Sequence, residues 1–149
     1  MTDSVQYKRP ESVLVVVYTK SGEVLLLNRT HPQGFWQSVT GSLEWDESPA
    51  QAARRELHEE TGILSEHIHD CKQQYRFVIR PEWRDRYAPE VSENTEHVFT
   101  LELDSMTDIQ MNPEEHSEFC WSPFKQAADR VFSWTNKQVI QGLFQGSSD

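Results

Sequence analysis

Residues 41–63, with the sequence GSLEWDESPAQAARRELHEETGI, constrain the fold of this chain more than any other segment. Ser48 is a favourable N-cap, Pro49 suits the first helical position, and Gln51 completes a capping box. Gly62 supplies a residue that adopts the left-handed conformation in which many helices end. The segment therefore predicts a short helix with a well-defined start and stop.

Three glutamates lie at positions i, i+3 and i+4 near the end of this predicted helix: Glu56, Glu59 and Glu60. Their carboxylates share one face, where like charges repel and the helix dipole disfavours anions. A bound cation reverses both penalties, and ligands that are all oxygen favour a hard metal such as Mg²⁺ or Mn²⁺. Taken alone, the same spacing is also typical of a solvated acidic helix end.

A wider pattern surrounds these glutamates, namely Gly41, Glu47 and the run RELHEETGI at 55–63. This pattern resembles the Nudix box, the signature of hydrolases that cleave nucleoside diphosphates linked to another group. The resemblance implies that Glu56 and Glu60 are the main metal ligands, with Glu59 shared or bound through water. It also implies that Arg55 pairs with Glu47 and supports the loop and helix.

Alternating apolar runs and turn signals predict the remaining elements. Strands are expected at 12–19, 24–29, 35–39, 73–79, 96–103 and 118–122, a second helix is expected after a cap at Ser122-Pro123, and a third at 133–145. Strands that alternate with helices favour an α/β (α+β) fold, an α/β/α sandwich around a mixed β-sheet. The Nudix resemblance implies the same architecture.

Length and composition indicate one globular domain over residues 1–149, with residues 146–149 expected to be a disordered tail. The net charge of −10 argues against a nucleic-acid polymer as partner. The longest apolar run, 13–18, is too short for a membrane span or signal segment, so we expect a cytoplasmic protein without a membrane partner. Cys71 and Cys120 lack metal or redox spacing and are expected to be reduced. We expect a monomer or a weak dimer.

Segments outside the box narrow the resemblance to the bacterial dihydroneopterin triphosphate diphosphatases of folate biosynthesis. They occur in the right order over nearly the whole chain, at 7–10 (YKRP), 35–42 (FWQSVTGS), 86–89 (RYAP), 94–96 (NTE) and 133–138 (SWTNKQ). Two positions differ from the wider superfamily, because Thr40 and Asp46 stand where glycine is frequent. Neither is a predicted metal ligand.

This resemblance implies a set of substrate-binding residues: Lys8, Arg29 and Thr40 near the phosphates, the segment Phe77, Val78, Ile79 and Arg80, and Ser133. Phe77 and Ser133 are the expected contacts of the flat pterin ring. For Lys8 and Arg29, the residues alone are equally consistent with solvated strand ends. Further aromatic candidates for the pocket are Trp36, Trp83, Tyr87 and Trp134.

A carboxylate from a later loop often completes the site in this superfamily, and residues 112–116 (NPEEH) are the matching segment. The resemblance selects Glu115 as a metal ligand or general base. From the residues alone, Glu114 and Glu115 are also consistent with ordinary loop charges.

The predicted function is Mg²⁺-dependent hydrolysis of dihydroneopterin triphosphate to the monophosphate and pyrophosphate. One alternative is a general pyrophosphatase of purine (deoxy)nucleoside triphosphates, such as dATP or oxidised dGTP. Another is a non-catalytic nucleotide-binding Nudix module, although the intact box argues against it. An RNA-decapping role is disfavoured because the chain is acidic and has no basic stripe.

Overall fold

The computed structural model describes residues 7–30 and 34–144, so the predicted tail at 146–149 lies outside the described residues. The elements in chain order are β1 (Glu11–Thr19), β2 (Glu23–Arg29), β3 (Trp36–Gln37), β4 (Val39–Ser42), α1 (Pro49–Thr61), β5 (His69–Val78), a 3₁₀ helix (Pro81–Arg86), β6 (Glu93–Leu103), β7 (His116–Pro123), α2 (Phe124–Arg130) and α3 (Trp134–Phe144).

The strands form one mixed sheet in the order β3-β2-β1-β6-β5, with β4 paired to β1 and β7 paired to β2. β1 and β6 run parallel, whereas the other pairs are antiparallel. β1 is almost continuously apolar because both of its faces are covered. Val13 and Val15 pack on the α1 side, while Leu14 and Val16 pack with α2 and α3. The predicted α/β/α sandwich is confirmed.

The local signals for α1 are also confirmed. Ser48 accepts a hydrogen bond from the backbone N–H of Gln51, and the Gln51 side chain accepts one from the Ser48 N–H. The helix ends at Gly62, whose φ of 80° is left-handed. The apolar strip of α1 lies buried against the sheet, which fixes the direction of its acidic face.

The prediction of one strand at 35–39 was wrong, because the segment forms two short strands with different partners. β3 pairs with β2 and β4 pairs with β1, and the chain changes partner at the fully buried Ser38. The Ser38 N–H donates to Asn136 Oδ1 at 2.9 Å, and the Asn136 side chain donates to Ser38 Oγ at 3.0 Å. The side chain of Asn136 on α3 thus provides the hydrogen-bond partner for the Ser38 backbone N–H at the point where the strand pairing is interrupted.

The predicted cap of the second helix was also wrong. Ser122 belongs to β7, where it pairs with Val24, and α2 starts after Pro123 without a side-chain cap. Cys71 and Cys120 are free thiols, as predicted. Over the described ranges 7–30 and 34–144, the helices are too short or too polar to cross a membrane.

Candidate active site

Two carboxylates lie buried side by side on the face of α1 that meets β4. The relative exposure is 8% for Glu56 and 0% for Glu60. Burial raises the pKa of both groups, and the charge of Glu56 raises the pKa of Glu60 further. Neither oxygen of Glu60 has a hydrogen-bond partner among the described residues. This pair therefore carries a large desolvation cost that the protein alone does not offset.

Arg55 pairs with Glu47 in the geometry expected from the sequence. Its Nε and Nη2 donate to the two oxygens of Glu47 at 2.7 and 2.8 Å, and Nη2 also donates to the Ser42 carbonyl oxygen at 3.1 Å. The guanidinium lowers the pKa of Glu47, while this carboxylate raises the pKa of Arg55. The pair joins the end of β4 to α1.

Glu59 does not share the burial of its two neighbours. Its side chain is half exposed, and its Oε1 lies 3.2 Å from Nη1 of Arg55, which also contacts Glu56 Oε2 at 3.1 Å. Glu59 does not line the cleft described below. The predicted cluster of three carboxylates is therefore a buried pair with a third, more solvated member held by Arg55.

Gly41 has a steric role that explains why a side chain is absent there. A Cβ atom built on Gly41 would collide with the carboxylate of Glu56. The glycine lets the β4 backbone approach the acidic face of α1 closely.

The loop before β7 brings Glu115 and His116 to the same region. Asn112 Nδ2 donates to Glu115 Oε2 at 3.0 Å. The charge of Glu115 adds to the effect of burial in raising the pKa of Glu56 and Glu60. His116 is 2% exposed, and its Nε2 lies 3.7 Å from Glu60 Oε1. Burial, reinforced by the charge of Arg29, lowers the His116 pKa to about 4, so the imidazole is neutral at pH 7.

A cleft of about 1040 Å³ opens beside this carboxylate pair. The predicted site residues that line it are Lys8, Arg29, Thr40, Glu56, Phe77, Val78, Ile79, Arg80, Glu115 and Ser133. Glu114 lines it as well, so the lining does not discriminate between the two loop glutamates. Glu60 lies beneath the surface rather than in the lining.

Positive charge is concentrated at one part of this cleft in an otherwise acidic protein. Partial desolvation together with the charges of Arg86 and Arg29 lowers the pKa of Lys8. The pKa of Arg29 is likewise lowered by burial and by Arg86. Mutual repulsion of this kind shows three cations held close together, an arrangement that an anion would stabilise.

The hydroxyl of Thr40 is already engaged by the protein. Its Oγ1 donates to the Val13 carbonyl oxygen at 2.9 Å. In this arrangement the hydroxyl hydrogen is already used within the protein and is not available to a phosphate.

The aromatic candidates separate into two groups. Trp83, Tyr87 and Trp134 line the cleft, whereas Trp36 lies outside it beneath the Arg130 guanidinium, 4.3 Å from the ring centroid. The Trp83 ring is itself contacted by Arg29 and Arg80 at 5.2 and 5.3 Å. Trp83 therefore anchors the 3₁₀ segment to β2.

Four residues at the site were missed by the sequence reasoning: Arg86, Asn94, Glu96 and His116. Arg86, Asn94 and Glu96 belong to segments that the resemblance quoted without assigning them a role. Asn94 and Glu96 are two residues apart and share one face of β6, but the predicted strand began only at residue 96, so Asn94 was placed outside it. His116 offered no signal, because nothing local indicates that it packs against Glu60.

Within residues 7–30 and 34–144, no three His, Cys, Asp or Glu side chains converge closely enough to hold a metal ion by themselves. The donor chemistry nevertheless fits a divalent cation. The oxygens of Glu60 are buried without hydrogen-bond partners, Glu56 lies beside them, and Glu115 adds negative charge. A cation bound here would offset the desolvation and repulsion of these groups.

The fold and this site define a Nudix hydrolase, and the family comparison agrees. The model of the NUDIX domain family matches residues 8–143, so the chain belongs to this family.

Individual relatives share most of the chain. It is 42% identical over 146 residues to the dihydroneopterin triphosphate diphosphatase of Escherichia coli K12, covering 95% of both chains. Identity to the Haemophilus influenzae protein of the same name is 40% over 141 residues, covering 91% of this chain and 88% of that protein. The solved structure of the E. coli dihydroneopterin triphosphate pyrophosphohydrolase superposes with a TM-score of 0.85 at 41% identity, covering 91% and 95% of the two chains.

Proposed function

We propose that this Nudix hydrolase converts dihydroneopterin triphosphate to dihydroneopterin monophosphate and pyrophosphate with Mg²⁺. The observation that carries the proposal is the single cleft that joins a buried carboxylate pair, a cluster of cations and a pocket lined by aromatic and polar side chains. The two bacterial relatives at 40–42% identity bear the name of this activity, which supports the choice of substrate.

In this proposal Glu56 and Glu60 hold the metal, with Glu115 as a further ligand or as the general base and Glu59 acting through water. Bound divalent cations supply charge neutralisation and an activated water in phosphoanhydride hydrolysis. All four donors are carboxylates, which favours Mg²⁺, with Mn²⁺ as a substitute. Asn112 orients Glu115 through its 3.0 Å hydrogen bond.

Lys8 and Arg29 bind the phosphates in this proposal, and Arg86 joins them. Lys8 and Arg86 are exposed and Arg29 is half-buried, and their mutual proximity offers a polyanion three neighbouring positive charges. The segment 77–80 and Ser133 contact the ring system, where Phe77 is half buried and lies on the cleft wall.

The alternative substrates are purine (deoxy)nucleoside triphosphates, including dATP and oxidised dGTP. The same cleft volume and cation cluster accommodate a nucleotide triphosphate, so selectivity has to come from the ring contacts. Dihydroneopterin triphosphate remains the proposed substrate because of the relatives named above.

The test is product analysis in Mg²⁺ with dihydroneopterin triphosphate, dGTP, oxidised dGTP and dATP offered separately to the purified chain. We expect pyrophosphate release with the highest kcat/KM for the pterin. Equal or faster turnover of a nucleotide would make this chain a general triphosphate pyrophosphatase. Glu56→Gln serves as the inactive reference, since it removes a proposed metal ligand with little change in shape.

Several wider expectations stay predictions: one domain over residues 1–149, a cytoplasmic location, a monomer or weak dimer, and no nucleic-acid polymer or membrane as partner. The family match over residues 8–143 supports the single domain.

A further inference from the structure

Two buried polar side chains on β6 lie in the wall of the cleft, away from the carboxylate pair of α1. Glu96 is 5% exposed and Asn94 is 4% exposed, and both line the cleft. Glu96 Oε1 and Asn94 Oδ1 have no hydrogen-bond partner among the described residues. A buried acceptor without a partner destabilises the folded protein, and this strand carries two of them.

The remaining polar atoms of these side chains are held by the protein. Asn94 Nδ2 donates to Ser12 Oγ at 2.8 Å, which leaves the carbonyl oxygen as its free atom. The Thr135 hydroxyl hydrogen-bonds the Glu96 carboxyl group. Both side chains are therefore held in place by neighbouring residues of the protein, and the atom that each leaves without a partner is an acceptor.

The two acceptors lie two residues apart on β6 and so face the same side of the sheet. Phe77 pairs directly with Asn94 across β5 and β6, on the wall of the same cleft. Cross-strand partners present their side chains on one face. The wall thus combines an aromatic ring with a row of buried acceptors.

We propose that Glu96 and Asn94 determine ring specificity by accepting hydrogen bonds from the N–H and amino groups of a fused 2-amino-4-oxopyrimidine. This inference deepens the proposed function and rests on it for the identity of the ring. Pterins and guanine share that edge, on which a ring N–H and an exocyclic amino group are adjacent donors. Adenine instead presents a ring nitrogen acceptor beside its amino group, which a carboxylate repels.

Burial raises the pKa of Glu96 above its usual range. Two donors from a bound ring favour the charged carboxylate and offset part of this desolvation. The same ring without donors at these positions would leave both acceptors buried and unsatisfied. When the wrong ring binds, buried polar groups of the protein are left unpaired. This penalty discriminates between rings more strongly than apolar shape alone does.

The experiment compares the wild-type chain with Glu96→Gln, which keeps the size of the side chain and replaces one acceptor by a donor. Binding of the α,β-methylene analogues of dGTP and dATP is measured by calorimetry in Mg²⁺, beside kcat/KM for dihydroneopterin triphosphate, dGTP and dATP. We expect Glu96→Gln to weaken the guanine analogue and to lower pterin and dGTP turnover by on the order of tenfold to hundredfold. The affinity for the adenine analogue should change by less than about threefold, so the loss of affinity should be selective for the guanine analogue.

Glu102→Gln is the matched control, because Glu102 lies on the same strand, contacts Tyr18 and does not line the cleft. It should leave both affinities unchanged. If Glu96→Gln yields too little folded protein, Asn94→Ala provides the same comparison by removing the second acceptor, together with the Asn94 hydrogen bond to Ser12. We expect it to weaken the guanine analogue several-fold and selectively.

Equal weakening of the guanine and adenine analogues, or no change in either, would overturn the assignment of Glu96. The proposed function fails separately, if the wild-type chain leaves dihydroneopterin triphosphate uncleaved while Glu96→Gln still loses the guanine analogue selectively. Conversely, the wild-type chain could hydrolyse the pterin while both variants keep its preference between the guanine and adenine analogues. That result would contradict this inference and leave the proposed function unaffected.

Discussion

Glu60 is a carboxylate that the fold removes from water without giving its oxygens a hydrogen-bond partner among the described residues. Burial and the neighbouring charge of Glu56 raise its pKa, so the ionised form of Glu60 destabilises the folded protein. This cost is consistent with a site whose stability depends on a bound cation.

We expect Glu60→Gln to raise the melting temperature of the metal-free protein at pH 7. Removing a desolvated charge should gain about 1–2 kcal/mol, or a few degrees for a chain of this size. The same variant should lose the stabilisation that the wild-type chain gains from millimolar Mg²⁺. Thermal unfolding with and without Mg²⁺ checks both effects, and Glu90→Gln, an exposed residue outside the cleft, is the control. A Mg²⁺ effect that survives in Glu60→Gln would contradict the metal assignment.

The buried imidazole of His116 makes the stability of the folded protein depend on pH. Its pKa is about 4 in the folded protein, below the ordinary value near 6.5, because burial disfavours the imidazolium. Between these values the unfolded chain binds more protons, so His116 contributes stability above pH 6.5 that is lost as the pH falls towards 4.

Replacing this residue by an uncharged one should flatten the acid limb of the stability curve. For His116→Gln, we expect the free energy of unfolding to fall less between pH 6.5 and 4.5 than in the wild-type chain, by at most about 3 kcal/mol. Urea unfolding at several pH values measures this difference. His58→Gln is the control, since His58 lies exposed on α1. Parallel curves for wild-type and His116→Gln would show that burial of His116 does not set the acid limb.

At the scale of elements, the close approach of β4 to α1 determines where Glu56 lies. We expect Gly41→Ala to lower kcat by at least about 100-fold, because the new Cβ would displace the Glu56 carboxylate from its place beside Glu60. Gly142→Ala is the matched control: Gly142 lies within α3 with open space around it, and alanine should stabilise the helix by up to about 1 kcal/mol. Steady-state kinetics and thermal unfolding of both variants test this, and full activity in Gly41→Ala would refute it.

The elements also show how far the sequence determines the fold. The capping box at Ser48 and the stop at Gly62 are local signals, and α1 forms between them as predicted. The break at Ser38 could not be predicted locally, because its backbone N–H is satisfied by Asn136 of α3, 98 residues away in sequence. Likewise, Ser122 fits a helix cap in sequence, but pairing with β2 keeps it in β7.

Across the whole molecule, the cleft gathers residues whose proximity no single segment reveals. The proposed metal-binding residues on α1 could be predicted because they share one helix, and the proposed substrate residues followed from a resemblance spread over the chain. Arg86 was missed because its position depends on tertiary contacts. The backbone N–H of Lys8 donates to the Arg86 carbonyl oxygen at 2.9 Å, which brings the 3₁₀ segment beside the residues that lead into β1.

The net charge of −10 makes this cation cluster the part of the molecule to which a polyphosphate should bind. We expect Arg86→Gln to weaken the binding of Mg²⁺-pyrophosphate by on the order of tenfold, the loss of one charge-assisted contact. Arg84→Gln is the matched control, since Arg84 lies on the same 3₁₀ helix but outside the cleft lining. Both substitutions change the overall charge equally. Calorimetric measurement of pyrophosphate affinity in both variants and the wild-type chain therefore distinguishes a local cation contact from an effect of overall charge. Equal weakening in the two variants would mean that long-range charge, rather than the geometry that holds Lys8, Arg29 and Arg86 together, governs phosphate affinity.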